Sequence, residues 1–212
     1  LGAVDNIVFT RAQTNYKTQF SPDGVTVTDR TEGGLGTIAI DNVELIDFGT
    51  ELPVFGGAMD LRQFGGHTSL DQEAFASFVE MYIAYFNRAP DAMGLAFWGT
   101  AHANGMSLEE IAAEFVTQPE TLATYPEDLN NLRFVSDVYG NVLGRAPDID
   151  GLVFWAEQLD EGLIGRSDFI LAILNGVQDG SADRAYLDQK TDLGALFAVH
   201  RGMSNVDDAA QV

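Results

Sequence analysis

Cysteine is absent from all 212 residues. That removes disulfide staples, thiolate metal sites and cysteine nucleophiles together. For a chain working outside the cell, the same absence points to a bacterial source. Basic residues are scarce: 11 Lys and Arg stand against 32 Asp and Glu, a net charge of −21, and Lys17 and Lys190 are the only lysines. Such a surface repels phosphate backbones and anionic lipid, which disfavours nucleic-acid and membrane-surface partners. A lysine-poor chain is also a poor phosphate-binding enzyme, whereas divalent cations and basic partners suit it. No apolar run approaches the roughly 20 residues of a membrane helix, so no transmembrane segment is expected. The sequence lacks a Gly-x-Ser-x-Gly elbow, a His-Glu-x-x-His helix and a phosphate loop. It opens on Leu1 rather than Met, which reads as an excised or processed piece.

Apolar residues are plentiful, at 46% with 14 Phe, 6 Tyr and 2 Trp, so a core can form and a disordered acidic tail is excluded. The patterning changes near residue 66. Upstream, Tyr16, Thr18 and Phe20 alternate with polar neighbours, as do Val25 with Val27 and Ile38 with Ile40. Turn chemistry at Ser21-Pro22-Asp23-Gly24 and Glu32-Gly33-Gly34-Leu35-Gly36 separates these runs. With Val43–Phe48 they predict a meander of five or six short strands over residues 1–55. Gly56-Gly57 and Gly65-Gly66 bracket a connector. Downstream, Ser69 to Gln72 suits a capping box, and Phe75, Phe78, Tyr82, Tyr85 and Phe86 share one helical face. The expected class is α+β: a short-stranded β-rich region at 1–66, then an all-α domain at 67–212.

The helical part is an internal duplication. Tyr82–Trp98 and Tyr139–Trp155, offset by 57 residues, are identical at nine of 17 positions. Both carry Arg-Ala-Pro-Asp-x-x-Gly-Leu-x-Phe-Trp, and Gly105 corresponds to Gly162. This places two multi-helix units at about 70–122 and 127–179, with further helices over 126–143 and 182–201. In each unit a first helix ends just before Arg-Ala-Pro, because Pro90 or Pro147 disfavours helical geometry in the residue before it and removes a donor. Asp91 or Asp148 then caps a second one. Leu95 with Trp98, and Leu152 with Trp155, anchor it, and a glycine turn ends it. Ser107 and Glu110 form a capping box for the third helix of the first unit.

The polar constellation is Arg88 with Asp91 and Arg145 with Asp148. A ligand-binding arginine beside a catalytic or metal-binding carboxylate is one reading. The other is a capping Asp with an Arg tying down the loop, which explains the fixed distance to the next helix and the repetition. Trp98 and Trp155 read as core anchors rather than sugar platforms, since each sits on an apolar face. Asp148-Ile149-Asp150-Gly151 opens like a calcium loop, but its twelfth position is Leu159 and the first copy has Met93 for Asp150. Gly33–Asp41 approaches a glycine-rich calcium-binding nonapeptide, with Ile38 where the Asp belongs, and reads as a turn and strand. His67, His102 and His200 have no ligand spacing.

On Tyr82–Trp98 and Tyr139–Trp155 the chain resembles a bacterial helical repeat, a domain of unknown function found in secreted RTX-type (haemolysin-type calcium-binding) and S-layer-associated proteins. The resemblance covers about residues 70–205. Ile7–Val54, above all Asp41–Phe48, is similar to strand segments preceding such repeats, and Gly202-Met203-Ser204-Asn205 resembles a C-terminal element that would continue past Val212. It implies export and a secreted or cell-surface location, and implies no reaction.

The expectation is therefore a non-catalytic structural or adhesion-type module of an exported protein, with no catalytic residues, metal site or resident cofactor assigned. Its partners would be a cell-surface component, a glycan or other domains of the parent protein. The alternatives are an accessory domain of a secreted hydrolase using Asp41, Glu44 or Asp60, and a glycan- or calcium-binding module.

Overall fold

The computed structural model describes residues 4–21, 23–49, 58–203, 206–209 and 211. Pro22 of the first turn, Gly56-Gly57 of the connector and Ser204-Asn205 of the C-terminal element lie outside them.

Among the described residues of the N-terminal part, six strands form: β1 (Asn6–Val8), β2 (Tyr16–Ser21), β3 (Gly24–Asp29), β4 (Thr37–Ile40), β5 (Leu45–Asp47) and β6 (Met59–Asp60). The alternating runs pair as the meander predicts, β2-β3-β4 antiparallel, with Thr18 opposite Val27 and Val25 opposite Ile40. The remaining strands depart from the meander. β1 lies parallel to β5 with Ile7 opposite Ile46, and β6 pairs antiparallel to β5 with Met59 opposite Ile46. Period-two alternation identifies a strand's buried face but not its partner, which is why this second sheet is invisible in the pattern. Phe9, Tyr16, Val27, Ile46, Phe48 and Met59 fill the core of this region.

The glycine-rich stretch after β3 is a loop built around a single carboxylate. Asp29 accepts hydrogen bonds from Thr31 N (3.0 Å), the Thr31 hydroxyl (2.6 Å), Leu35 N (3.1 Å) and Arg11 Nη1 (2.8 Å). Gly34 presses on it so closely that a Cβ would stand 2.4 Å from the Asp29 Cγ. Ile38 lies in β4, so the turn-and-strand reading holds here.

The helices are α1 (Gln72–Phe86), α2 (Ala92–Ala103), α3 (Leu108–Val116), α4 (Pro119–Thr124), α5 (Asn131–Leu143), α6 (Ile149–Asp160), α7 (Arg166–Asn175) and α8 (Ala182–Ala195). A π-helical turn at Leu196–His200 and a short α9 (Val206–Ala209) follow. Three boundaries differ from expectation. Ser69 closes a 3-10 turn and donates to Gly66 O at 2.7 Å; the cap of α1 is Asp71, whose carboxylate accepts from Ala74 N at 2.8 Å. α5 starts behind Asn130 rather than at Pro126, because the Asn130 side chain accepts from Arg133 N at 2.9 Å. α4 was not anticipated; it starts with Pro119, whose missing N–H costs nothing in a first turn. The Ser107–Glu110 capping box forms with both reciprocal bonds.

The two units pack into one helical body. α1 packs on α5, α3 on α7, and α4 meets α1 as α8 meets α5. The shared core takes Phe78, Tyr82 and Tyr85 of α1 with Phe115, Phe134, Val138 and Phe169. The fold is thus α+β, a small two-sheet region followed by a larger helical one.

Candidate functional site

Each motif copy is a hinge between two helices, built from local chemistry. α1 and α5 end just before Arg-Ala-Pro, as expected, closing on Asn87 (φ 50°) and Gly144 (φ 67°), both left-handed. Pro90 and Pro147 then hold the link extended. Asp91 accepts from Gly94 N at 2.7 Å and Asp148 from Gly151 N at 2.8 Å, making both the caps expected of them. Trp98 meets Phe115 edge-on at 5.2 Å, and Trp155 meets Phe169 at the same distance, so both are half-buried anchors against a third helix.

The arginines have partners the sequence reading missed. Arg88, buried, donates from Nε to Glu120 at 2.7 Å and from Nη1 to Ala89 O at 2.8 Å, with Asp91 3.5 Å from Nη2. Arg145 holds Asp183 with two bonds of 2.8 and 2.7 Å and donates to Ala146 O at 3.3 Å. Glu120 and Asp183 are each the second residue of the helix after a unit's third helix, α4 and α8. They do not share the 57-residue offset, so the repeat alignment could not pair them. The signal was an acid just inside a helix start, where the dipole favours it. Arg145 draws the Asp183 carboxyl below its ordinary range. Burial pushes Asp91 above its ordinary range against the pull of Arg88. Arg, Asp, Pro, Gly and Trp of the motif therefore cap, brace and anchor one another.

Of the other candidates, Glu44 and Asp60 come together on neighbouring strands, with Leu45 opposite Asp60 and Leu61 N donating to Glu44 O at 2.8 Å, while Asp41 stays apart. Asp60 accepts from the Arg62 Nε at 2.7 Å. Glu44 accepts from Asp5 N at 2.9 Å just ahead of β5, the central strand of the second sheet, while Asp41 follows β4 of the first. No group of three or more His, Asp or Glu gathers with metal-site geometry among the described residues. An apolar cavity of about 360 Å³ opens between α4, α5 and α7, lined by Val116, Leu122, Phe134 and Ile170. Arg166 at its edge is already engaged by Pro126 O at 3.0 Å, Leu129 O and the Asn131 side chain.

The two copies differ most in what covers them. In the first, the β-rich region sits on α2: Met93 and Ala96 join its core, Phe97 lies 5.6 Å from Phe64, and His67 N donates to Thr100 at 3.2 Å. The C-terminal segment closes the other side, with Ala92 N donating to Met203 O at 2.8 Å and Ala89 N to Ala209 O at 3.2 Å. In the second copy the same face is open. Ile149, Val153 and Phe154 are 79%, 44% and 52% exposed, where their counterparts Ala92 and Phe97 are half-buried and Ala96 is 2% exposed. Asp150 and Glu157, standing where α2 has Met93 and Thr100, are exposed beside them.

A protein-family model described as a domain of unknown function (DUF4214) matches residues 112–177. The match takes in the end of α3, α4 to α7 and the open second hinge; Tyr82–Trp98 lies outside it. No curated protein and no solved structure matches the chain. Among the described residues no helix is long and apolar enough to cross a membrane.

Proposed function

We propose that the chain is a non-catalytic binding module of an exported bacterial protein, of the RTX or S-layer-associated kind, working in structure or adhesion at the cell surface. The observation that carries this reading is the unequal cover of two equivalent faces. The face of α2 is closed within the molecule by the β-rich region and the C-terminal segment. The face of α6 carries Ile149, Val153 and Phe154 in the open, and an exposed apolar patch on a folded domain is a mark of an interaction surface. The motif side chains support the non-catalytic part, because each has a structural partner within its own unit or the next helix. The test is binding of the fluorescently labelled chain to bacterial cells and isolated surface layers. Saturable binding is expected, with loss in the double variant Val153→Ser, Phe154→Ser. Reproducible turnover of a glycan, peptide or ester panel, or no surface binding at all, would overturn the reading.

A further inference from the structure

The face of α6 differs from that of α2 in charge as well as in cover, and the difference follows one stripe of the helix. Asp150, Glu157 and Glu161 occupy the positions of Met93, Thr100 and Asn104 in the first copy. On α2 these positions are neutral, and Met93 and Thr100 are buried, 3% and 2% exposed. On α6 the three carboxylates are exposed, and Asp150 and Glu157 stand one helical turn before and after Val153 and Phe154. A surface shaped like the docked face of α2 but flanked by acid rejects a neutral or acidic occupant. Burying an unpaired carboxylate costs several kcal/mol. A second copy of this chain is the wrong occupant for the same reason, carrying a net charge of −21.

Resting on the binding-module reading above, we propose that the α6 face docks a segment of another protein in which an aromatic or aliphatic anchor is flanked by lysine or arginine. The anchor lies on Val153 and Phe154, and the cations pair with Asp150, Glu157 and Glu161. The internal docking of α2 is the template for the apolar part: there Phe64 sets its ring against Phe97, the counterpart of Phe154. The flanking acids add selection and faster encounter rather than most of the affinity.

The test uses the whole chain and two seven-residue peptides, one alternating Lys with Phe or Leu, the other with Glu in place of Lys. Nitrogen-15 NMR titration is expected to place the lysine peptide on the amides of Ile149 to Glu161. Its affinity should fall by roughly tenfold between about 50 and about 300 mM salt. The glutamate peptide should leave α6 unmoved. Replacing the acids by their α2 counterparts, Asp150→Met with Glu157→Thr, should weaken the lysine peptide by about tenfold at low salt while leaving the chain folded, with the melting temperature lowered by no more than a few degrees. Shifts scattered over the acidic surface, equal binding of both peptides, or a dimer of the chain through α6 would overturn the proposal. The two readings separate in the cell-surface assay. Loss of binding in Val153→Ser, Phe154→Ser with full retention in Asp150→Met, Glu157→Thr removes the charge selection and leaves the docking face standing. Retention in both removes the face.

Discussion

Gly94 and Gly151 occupy one motif position, yet the structure gives them different reasons to be glycine. A Cβ on Gly94 would lie 2.3 Å from Tyr82 Oη and 2.8 Å from Asp91 Oδ2, whereas one on Gly151 would meet Asp148 Oδ1 at 3.4 Å. Tyr82 is 2% exposed and cannot swing away. Gly94→Ala should therefore destabilise the fold by about 2 kcal/mol through overpacking. Gly151→Ala should change stability by less than about 1 kcal/mol, because helix propensity favours alanine there. Urea denaturation of the two variants checks the contrast. The arginines divide the same way. Arg88 is a buried charge whose removal strands Asp91, so Arg88→Ala should cost about 3 kcal/mol. Arg145 is half-exposed, and Arg145→Ala should cost about 0.5–1 kcal/mol in the same measurement. At Asp29 the Thr31 hydroxyl and backbone bonds hold the carboxyl at about 2, below the 3.8 of a free one. A depressed carboxyl stabilises above its unfolded value, and that support is lost as pH falls from about 3.8 toward 2. Asp29→Asn should flatten the stability loss across that window, read from urea midpoints at pH 7 down to 2.

Helix ends were the most legible elements, since their signals act within one turn. Asp91, Asp148, Ser107 and Ser181 all cap as residue type and position imply. Asp71 displaced Ser69 because two competent caps lie two residues apart, and only packing chooses between them. α4 escaped notice because six residues are too few for apolar periodicity to register. The helix faces carry the sharper prediction. Met93→Asp, which writes the second copy's residue into the first, should bury a carboxylate under the β-rich region and cost about 3 kcal/mol or more. Asp150→Met on the open face should cost no more than about 1 kcal/mol, the helix-dipole contribution of an acid in a first turn. Thermal melts of the pair, with amide exchange in β2 to show whether the β-rich region detaches, measure it.

Across the whole molecule, 32 acidic residues share one compact body with 11 basic ones. Several of the basic side chains are held by particular carboxylates, such as Arg88 by Glu120 and Arg184 by Asp188. The acidic excess is left on the surface, where it repels itself and is screened by salt. The melting temperature should therefore rise between about 10 and about 300 mM sodium chloride, by more than it does for the lysine-peptide complex, whose cations relieve part of the repulsion. A melting temperature that falls with salt would show that the paired arginines outweigh the repulsion.

By itself the sequence determined the class, the duplication, the strands of the meander and the capping work of Asp at each hinge. These depend on the backbone preferences and hydrogen bonds of residues close along the chain. Only the tertiary structure decided the partners: β1 beside β5, Glu120 for Arg88, Asp183 for Arg145, and the β-rich region on α2 rather than α6. The residues that tell the two faces apart, Met93 against Asp150 and Thr100 against Glu157, were present in the alignment throughout. Their meaning depends on what covers them, and cover is a property of segments distant in the chain, set by which packing buries the most apolar surface without burying an unpaired charge.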